Sequence, residues 1–142
     1  MSYKKYLNKV QNIFENYFND FLASKNLDKV ELFATSQYEL GQQNNSLAIY
    51  PDSPSGEVYK ENGDYAEASV TIAFYMNDLM SPQEDAKCID YFDAFLEFIH
   101  KNRFGEFDLI QTSFPVLISA GYDYNGVAIL LNSRIETFND YI

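Results

Sequence analysis

Large apolar residues fall at Tyr3, Tyr6, Leu7, Val10, Ile13, Phe14, Tyr17, Phe18, Phe21 and Leu22, the three-and-four spacing that lines one face of a helix. Lys5, Asn8, Lys9, Asn12, Asn16 and Asn19 fill the opposite face, Ser2 stands where it can cap the start, and the polar run from Ser24 to Asp28 ends the helix. A second helix is announced by Ser81-Pro82-Gln83-Glu84, with serine as N-cap, proline at the first helical position and glutamate able to reach back. It runs to about Asn102, with an apolar stripe at Cys88, Ile89, Phe92, Phe95, Leu96 and Ile99. Acids crowd its first half and Lys101, Arg103 and Gly105 close it, as the helix dipole and C-terminal capping favour.

Between the helices the pattern changes to strands: Val30 to Thr35, Leu47 to Tyr50 and Ala66 to Met76. The last alternates Ala68, Val70, Ile72, Phe74 and Met76 on one face with Glu67, Ser69, Thr71, Ala73 and Tyr75 on the other, so one face is buried and the other wetter. The segment PDSPSGEVYKENGDY between the second and third strands has two prolines, two glycines and several acids, the mark of a long exposed loop or an extended hairpin arm. After the second helix come Leu109 to Phe114, Val116 to Tyr124 and Val127 to Phe138, with Asn125-Gly126 placed as a two-residue hairpin turn between the last two. Val127 to Leu131 is apolar on both faces, which predicts a strand covered on both sides. The order α-β-β-β-α-β-β, with room for a further short strand near Ile110, predicts an α+β fold: a mainly antiparallel sheet with the N-terminal and second helices packed on one face.

Length and composition fit that picture. At 142 residues the chain is one domain's worth of sequence, residues 1–142, with 46% hydrophobic and 17% aromatic residues, too apolar for a disordered acidic tail despite its charge. One cysteine, Cys88, excludes an intrachain disulfide, and no stretch has the make-up of a signal peptide or a membrane-spanning helix; production in the cytoplasm is the expectation.

Motifs for catalysis are missing. His100 is the one histidine and sits near the end of the second helix, where a solvent-facing or capping role is expected and a general base would need an orienting partner. Cys88 belongs to the apolar stripe in an acidic neighbourhood, the setting of a small core residue and not of a nucleophile. Asp85, Asp90, Asp93 and Glu97 share a helix, but without a Glu-x-x-His pair or a calcium-loop pattern they read as a solvated acidic face. Neither a glycine-rich phosphate loop nor a nucleophile elbow occurs. The expectation is a protein that is not an enzyme and takes no cofactor and no metal.

Charge is the informative quantity. Ten basic residues against twenty-one acids give a net of −11, which argues against nucleic-acid binding, because clustered lysine and arginine are what neutralise phosphates. Residues 31 to 100 hold thirteen acids against two lysines, so nearly all the excess lies on the central strands, the long loop and the second helix. Part of this charge serves solubility; an acidic surface also steers a basic partner and repels DNA. Tyrosines interleave with it at Tyr38, Tyr50, Tyr59, Tyr65 and Tyr75, and tyrosine suits interfaces because it is large and polar-tipped. The candidate partner-contact residues are therefore those of the loop: Asp52, Ser53, Glu57, Tyr59, Glu61 and Asp64.

The layout resembles the tail terminator and related head-tail neck (tail completion) proteins of tailed bacteriophages. The resemblance runs through YKKYLNKVQNIFENYFNDFL, VELFAT, SLAIYP with its acidic loop, ASVTIAFYM, SPQEDAKCIDYFDAFLEFIHKN and VLISAGYDYNGVAILLNSRIETF, and it is one of order and pattern. It implies a virion structural protein, assembled in the host cytoplasm, that caps the tail tube and joins it to the neck as a homo-oligomeric ring, commonly a hexamer. Its implied partners are further copies of itself, the tail tube protein and the neck or connector proteins, with no membrane and no specific nucleic acid. The alternative is an acidic inhibitor or immunity-type protein whose carboxylates occupy the basic nucleic-acid-binding site of a partner enzyme.

Overall fold

A computed structural model describes residues 3–35, 45–53, 56–76, 82–104, 108–110 and 125–136. The elements are α1 (Tyr3–Ser24), β1 (Leu32–Ala34), β2 (Asn45–Tyr50), β3 (Tyr59–Asn62), β4 (Tyr65–Met76), α2 (Pro82–Lys101), β5 (Asp108–Ile110) and β6 (Asn125–Glu136). The fold is α+β, with the expected succession of helix, strands, helix and strands. The strands form a mixed sheet in the order β1-β2-β4-β6-β5, with β3 also pairing β4. Among the described residues only the β1–β2 pair is parallel, and every other ladder is antiparallel.

The alternation read along β4 is realised in the sheet. Leu47 faces Phe74, Ile49 and Ile129 both face Ile72, Leu131 faces Val70 and Ile135 faces Ala66, so these apolar residues share one face. Both helices cover that face. From α1 come Tyr6, Val10, Phe14, Phe18 and Leu22, and from α2 Tyr91, Ala94, Phe95, Phe98 and Ile99, all joined in one buried cluster with the strands. Its centre is aromatic: Phe14 and Phe18 each lie within 5.0 Å of Phe98 edge-on, and Phe18 stacks on Phe95 at 4.9 Å. Such pairs add about 0.5–1.5 kcal/mol each beyond the area they bury.

Two details depart from the sequence reading. The buried stripe of α2 is rotated: Tyr91, Ala94, Phe95, Phe98 and Ile99 point inward, Phe92 and Leu96 are half-buried, and Ile89 is 47% exposed. The expected stripe passed over Tyr91, Ala94 and Phe98: Tyr91 enters the core by satisfying its hydroxyl on the Asp28 carbonyl at 2.9 Å, and Phe98 lies edge-on to Phe14 and Phe18 from α1. Second, Asn125 and Gly126 are ladder residues of β6, opposite Met76 and Tyr75, and not a two-residue turn. A turn-prone dipeptide was outweighed by twelve consecutive pairings with β4. Of the two readings of the acidic segment, a long exposed loop or an extended hairpin arm, the arm is the one formed, since part of it is the strand β3. The strand expected at Val116 to Tyr124, the Ser2 and Ser81 caps and the side chain of Cys88 lie outside the described residues.

Candidate functional site

The acidic segment after β2 does two things. Tyr50 pairs with Thr71 and Tyr59 with Ala68, so nine residue steps on this side span three on β4, and six residues are looped out. The excursion is fastened at both ends: Thr71 Oγ1 donates to the Asp52 carbonyl at 3.3 Å, and Ser69 N–H to the Val58 carbonyl at 2.9 Å. Inside it, Gly56 N–H donates to the Ser53 carbonyl at 3.0 Å and Ser53 Oγ to the Glu57 carbonyl at 2.7 Å. Gly56 takes φ +79°, a conformation glycine adopts without steric cost.

Past the excursion, β3 and β4 form a tight hairpin closed by the Asn62–Tyr65 pair across Gly63 and Asp64. Gly63 has φ +64° and Asp64 does not have positive φ, the combination of a type II′ turn, whose twist matches that of paired strands. α1 braces the hairpin from behind: the Tyr3 ring meets Tyr59 edge-on at 6.3 Å, and Tyr3 Oη donates to the Ser69 carbonyl at 2.7 Å. Burial pushes the Tyr3 hydroxyl up to about 12.

The six sequence-chosen residues therefore fall into two groups on one arm. Asp52, Ser53 and Glu57 belong to the excursion; Tyr59 and Glu61 are on β3, with Tyr59 Oη donating to Glu61 Oε1 at 2.9 Å; Asp64 is in the turn. Asp52, Glu57, Glu61 and Asp64 are exposed, while Ser53 and Tyr59 are half-buried. On the outer sheet face the register sets Lys60, Glu67 and Arg134 in one row, and the Arg134 guanidinium lies over the Tyr65 ring at 3.5 Å. Sequence reasoning missed this row, because nothing before the register brings residue 134 beside residues 65 and 67.

A second feature is a cleft of about 300 Å³ between the end of α1 and α2, lined by Lys25, Leu27, Asp90, Asp93, Ala94 and Glu97. Lys25 pairs with Glu97 at 2.7 Å and Lys101 pairs with the same carboxylate at 3.5 Å, which holds the Glu97 carboxyl below its usual range. Asp90 and Asp93 are exposed, the solvated acidic face the helix pattern suggested. His100 is exposed in the last turn of α2. Among the described residues no three His, Cys, Asp or Glu side chains converge as metal ligands, and no helix is long and apolar enough to cross a membrane.

No protein-family profile, no curated protein and no solved structure matches the chain.

Proposed function

We propose that the protein is a structural component of a tailed-bacteriophage virion, capping the tail tube and joining it to the neck as a homo-oligomeric ring of six subunits. The observation that carries this reading is the acidic arm: a hairpin and a six-residue excursion on the margin of a helix-backed sheet. An arm of this kind suits contact between proteins, since it puts exposed Asp52, Glu57, Glu61 and Asp64 on a braced support. The partners are further copies of the chain, the tail tube protein and the neck or connector proteins, and the place of assembly is the host cytoplasm before incorporation into the virion. The role requires no catalysis and no cofactor. Negative charge on a ring through which DNA passes keeps the duplex from adhering.

Light scattering after size exclusion, at low salt and at about 1 M salt, where the screening length falls to about 3 Å, tests the reading. A ring-sized species that persists at high salt, alone or with tail tube protein, is expected, because stable assembly interfaces are largely apolar. A monomer under every condition overturns it. A complex with a basic nucleic-acid enzyme that forms at low salt and dissolves at high salt favours the acidic inhibitor instead.

A further inference from the structure

Ser69 N–H donates to the Val58 carbonyl, and the same antiparallel ladder continues to the Asn62–Tyr65 pair that closes the turn. Alternation along a strand then assigns the backbone groups of Val58, Lys60 and Asn62 to β4, and turns the Glu61 N–H and C=O to the opposite side. Among the described residues β3 pairs with β4 alone. This margin is held in place: β4 is paired with β6 over all twelve of its residues, and the Tyr3 ring lies against Tyr59. It is also acidic. Among the described residues Asp52, Glu57, Glu61, Asp64 and Glu67 are spread over the excursion, β3, the turn and β4, against Lys60 and Arg134, which both lie in register with Glu67 on the outer face, Arg134 with its guanidinium over the Tyr65 ring.

We propose that the outward edge of β3 at Glu61 is a strand-addition site for an extended, basic segment of a partner protein. Main-chain hydrogen bonds to a pre-ordered edge supply affinity with little ordering cost on this side, and alternate side chains of the incoming strand supply selectivity. Residues on the Glu61 face of that strand are lysine or arginine. Those on the other face meet Lys60 and Asn62 and are uncharged or acidic. A four-residue strand carrying Lys60 and Glu61 resists indiscriminate edge pairing, so only a charge-matched segment adds. The inference rests on the reading of the hairpin as the partner-contacting arm and specifies how the contact is made.

The probe is a fluorescein-labelled octapeptide of alternating lysine and valine, compared with one of alternating lysine and proline, which carries the same charge but cannot form a ladder. Anisotropy titration is expected to show the lysine–valine peptide binding about tenfold tighter or more, with hydrogen exchange at the Glu61 amide slowed about tenfold when that peptide is present at about ten times its Kd. Glu61→Pro removes the outward N–H while leaving the β4 ladder intact, and is expected to reduce the lysine–valine affinity to that of the lysine–proline peptide with little change in melting temperature. Glu61→Lys keeps the amide, removes the acceptor of Tyr59 Oη and reverses the charge, and is expected to weaken binding of both peptides. Equal binding of the two peptides, or protection elsewhere with none at Glu61, overturns the proposal even if Glu61→Pro fails to fold. Ring assembly is read separately by light scattering of the unliganded protein, so loss of strand addition leaves a ring detectable, and absence of a ring leaves peptide binding measurable.

Discussion

Single residues close the joints between elements. After Ser24 the chain leaves α1 through a Schellman turn: Leu27 N–H donates to the Leu22 carbonyl at 2.9 Å and Asn26 N–H to the Ala23 carbonyl at 3.1 Å, with Asn26 at φ 58°. Asparagine tolerates that left-handed conformation but pays for it, and glycine does not. Asn26→Gly is expected to stabilise the fold by about 0.5–1 kcal/mol and Asn26→Ala to destabilise it by about 1 kcal/mol, read from urea unfolding midpoints. The same ordering in reverse would mean the Asn26 side chain matters more than its backbone. Asn19 works differently: its side chain takes the N–H of Val30 at 2.7 Å and gives to the Val30 carbonyl at 3.0 Å, standing in for a strand where the chain turns toward β1. Val30 is only 3% exposed, so without that bracket its backbone groups would be buried without those bonds.

At the scale of elements, the long run opposite β4 is one strand's path interrupted. β2 and β3 follow each other along the same side of β4 and differ in register by the six looped-out residues. Removing residues 51–56 joins Tyr50 to Glu57 with the β3 register preserved and the β2 pairing continuous. The shortened protein is expected to fold with stability within about 1 kcal/mol of the parent, since a shorter connection costs less closure entropy. Thermal unfolding and hydrogen exchange of β3 amides report the result. Loss of soluble protein would show that the excursion supports the hairpin, whereas retained fold with lost partner binding places contact residues within the excursion itself.

Across the whole molecule, tyrosine hydroxyls tie the helix layer to what lies beneath. Tyr3 reaches the Ser69 carbonyl, Tyr6 donates to Ser133 Oγ at 2.8 Å, and Tyr91 reaches the Asp28 carbonyl. Burial raises the Tyr3 hydroxyl to about 12, and also raises those of Tyr91, Tyr50 and Tyr75. A group whose folded pKa is raised keeps its full contribution below its unfolded pKa, near 10 for tyrosine, and loses it as pH climbs through the folded value. The urea midpoint should therefore be insensitive to these groups up to about pH 10 and fall steadily toward pH 12. A midpoint constant from pH 9 to 12 would mean that these hydroxyls ionise as readily in the folded protein as in the unfolded chain.

How much of this was legible beforehand follows from the range of each signal. The two helices, the alternation of β4 and the α+β class are local patterns of period and turn chemistry, and a chain of residues contains them directly, whereas the turn-formers of the acidic segment fit a loop and a hairpin arm alike until β3 pairs with β4. The candidate contact residues came from the same local signals, composition and turn-formers. What the sequence could not contain is register and rotation. Whether Asn125-Gly126 turns or pairs depends on Met76 and Tyr75, which the linear order keeps about fifty residues away. Which face of α2 enters the core depends on what it meets: Phe14 and Phe18 of α1 for Phe95 and Phe98, and the Asp28 carbonyl for the Tyr91 hydroxyl. The alignment of Lys60, Glu67 and Arg134, and the side to which Glu61 turns its backbone, are likewise fixed only when strands pair, because a shift of one residue exchanges the two faces of a strand.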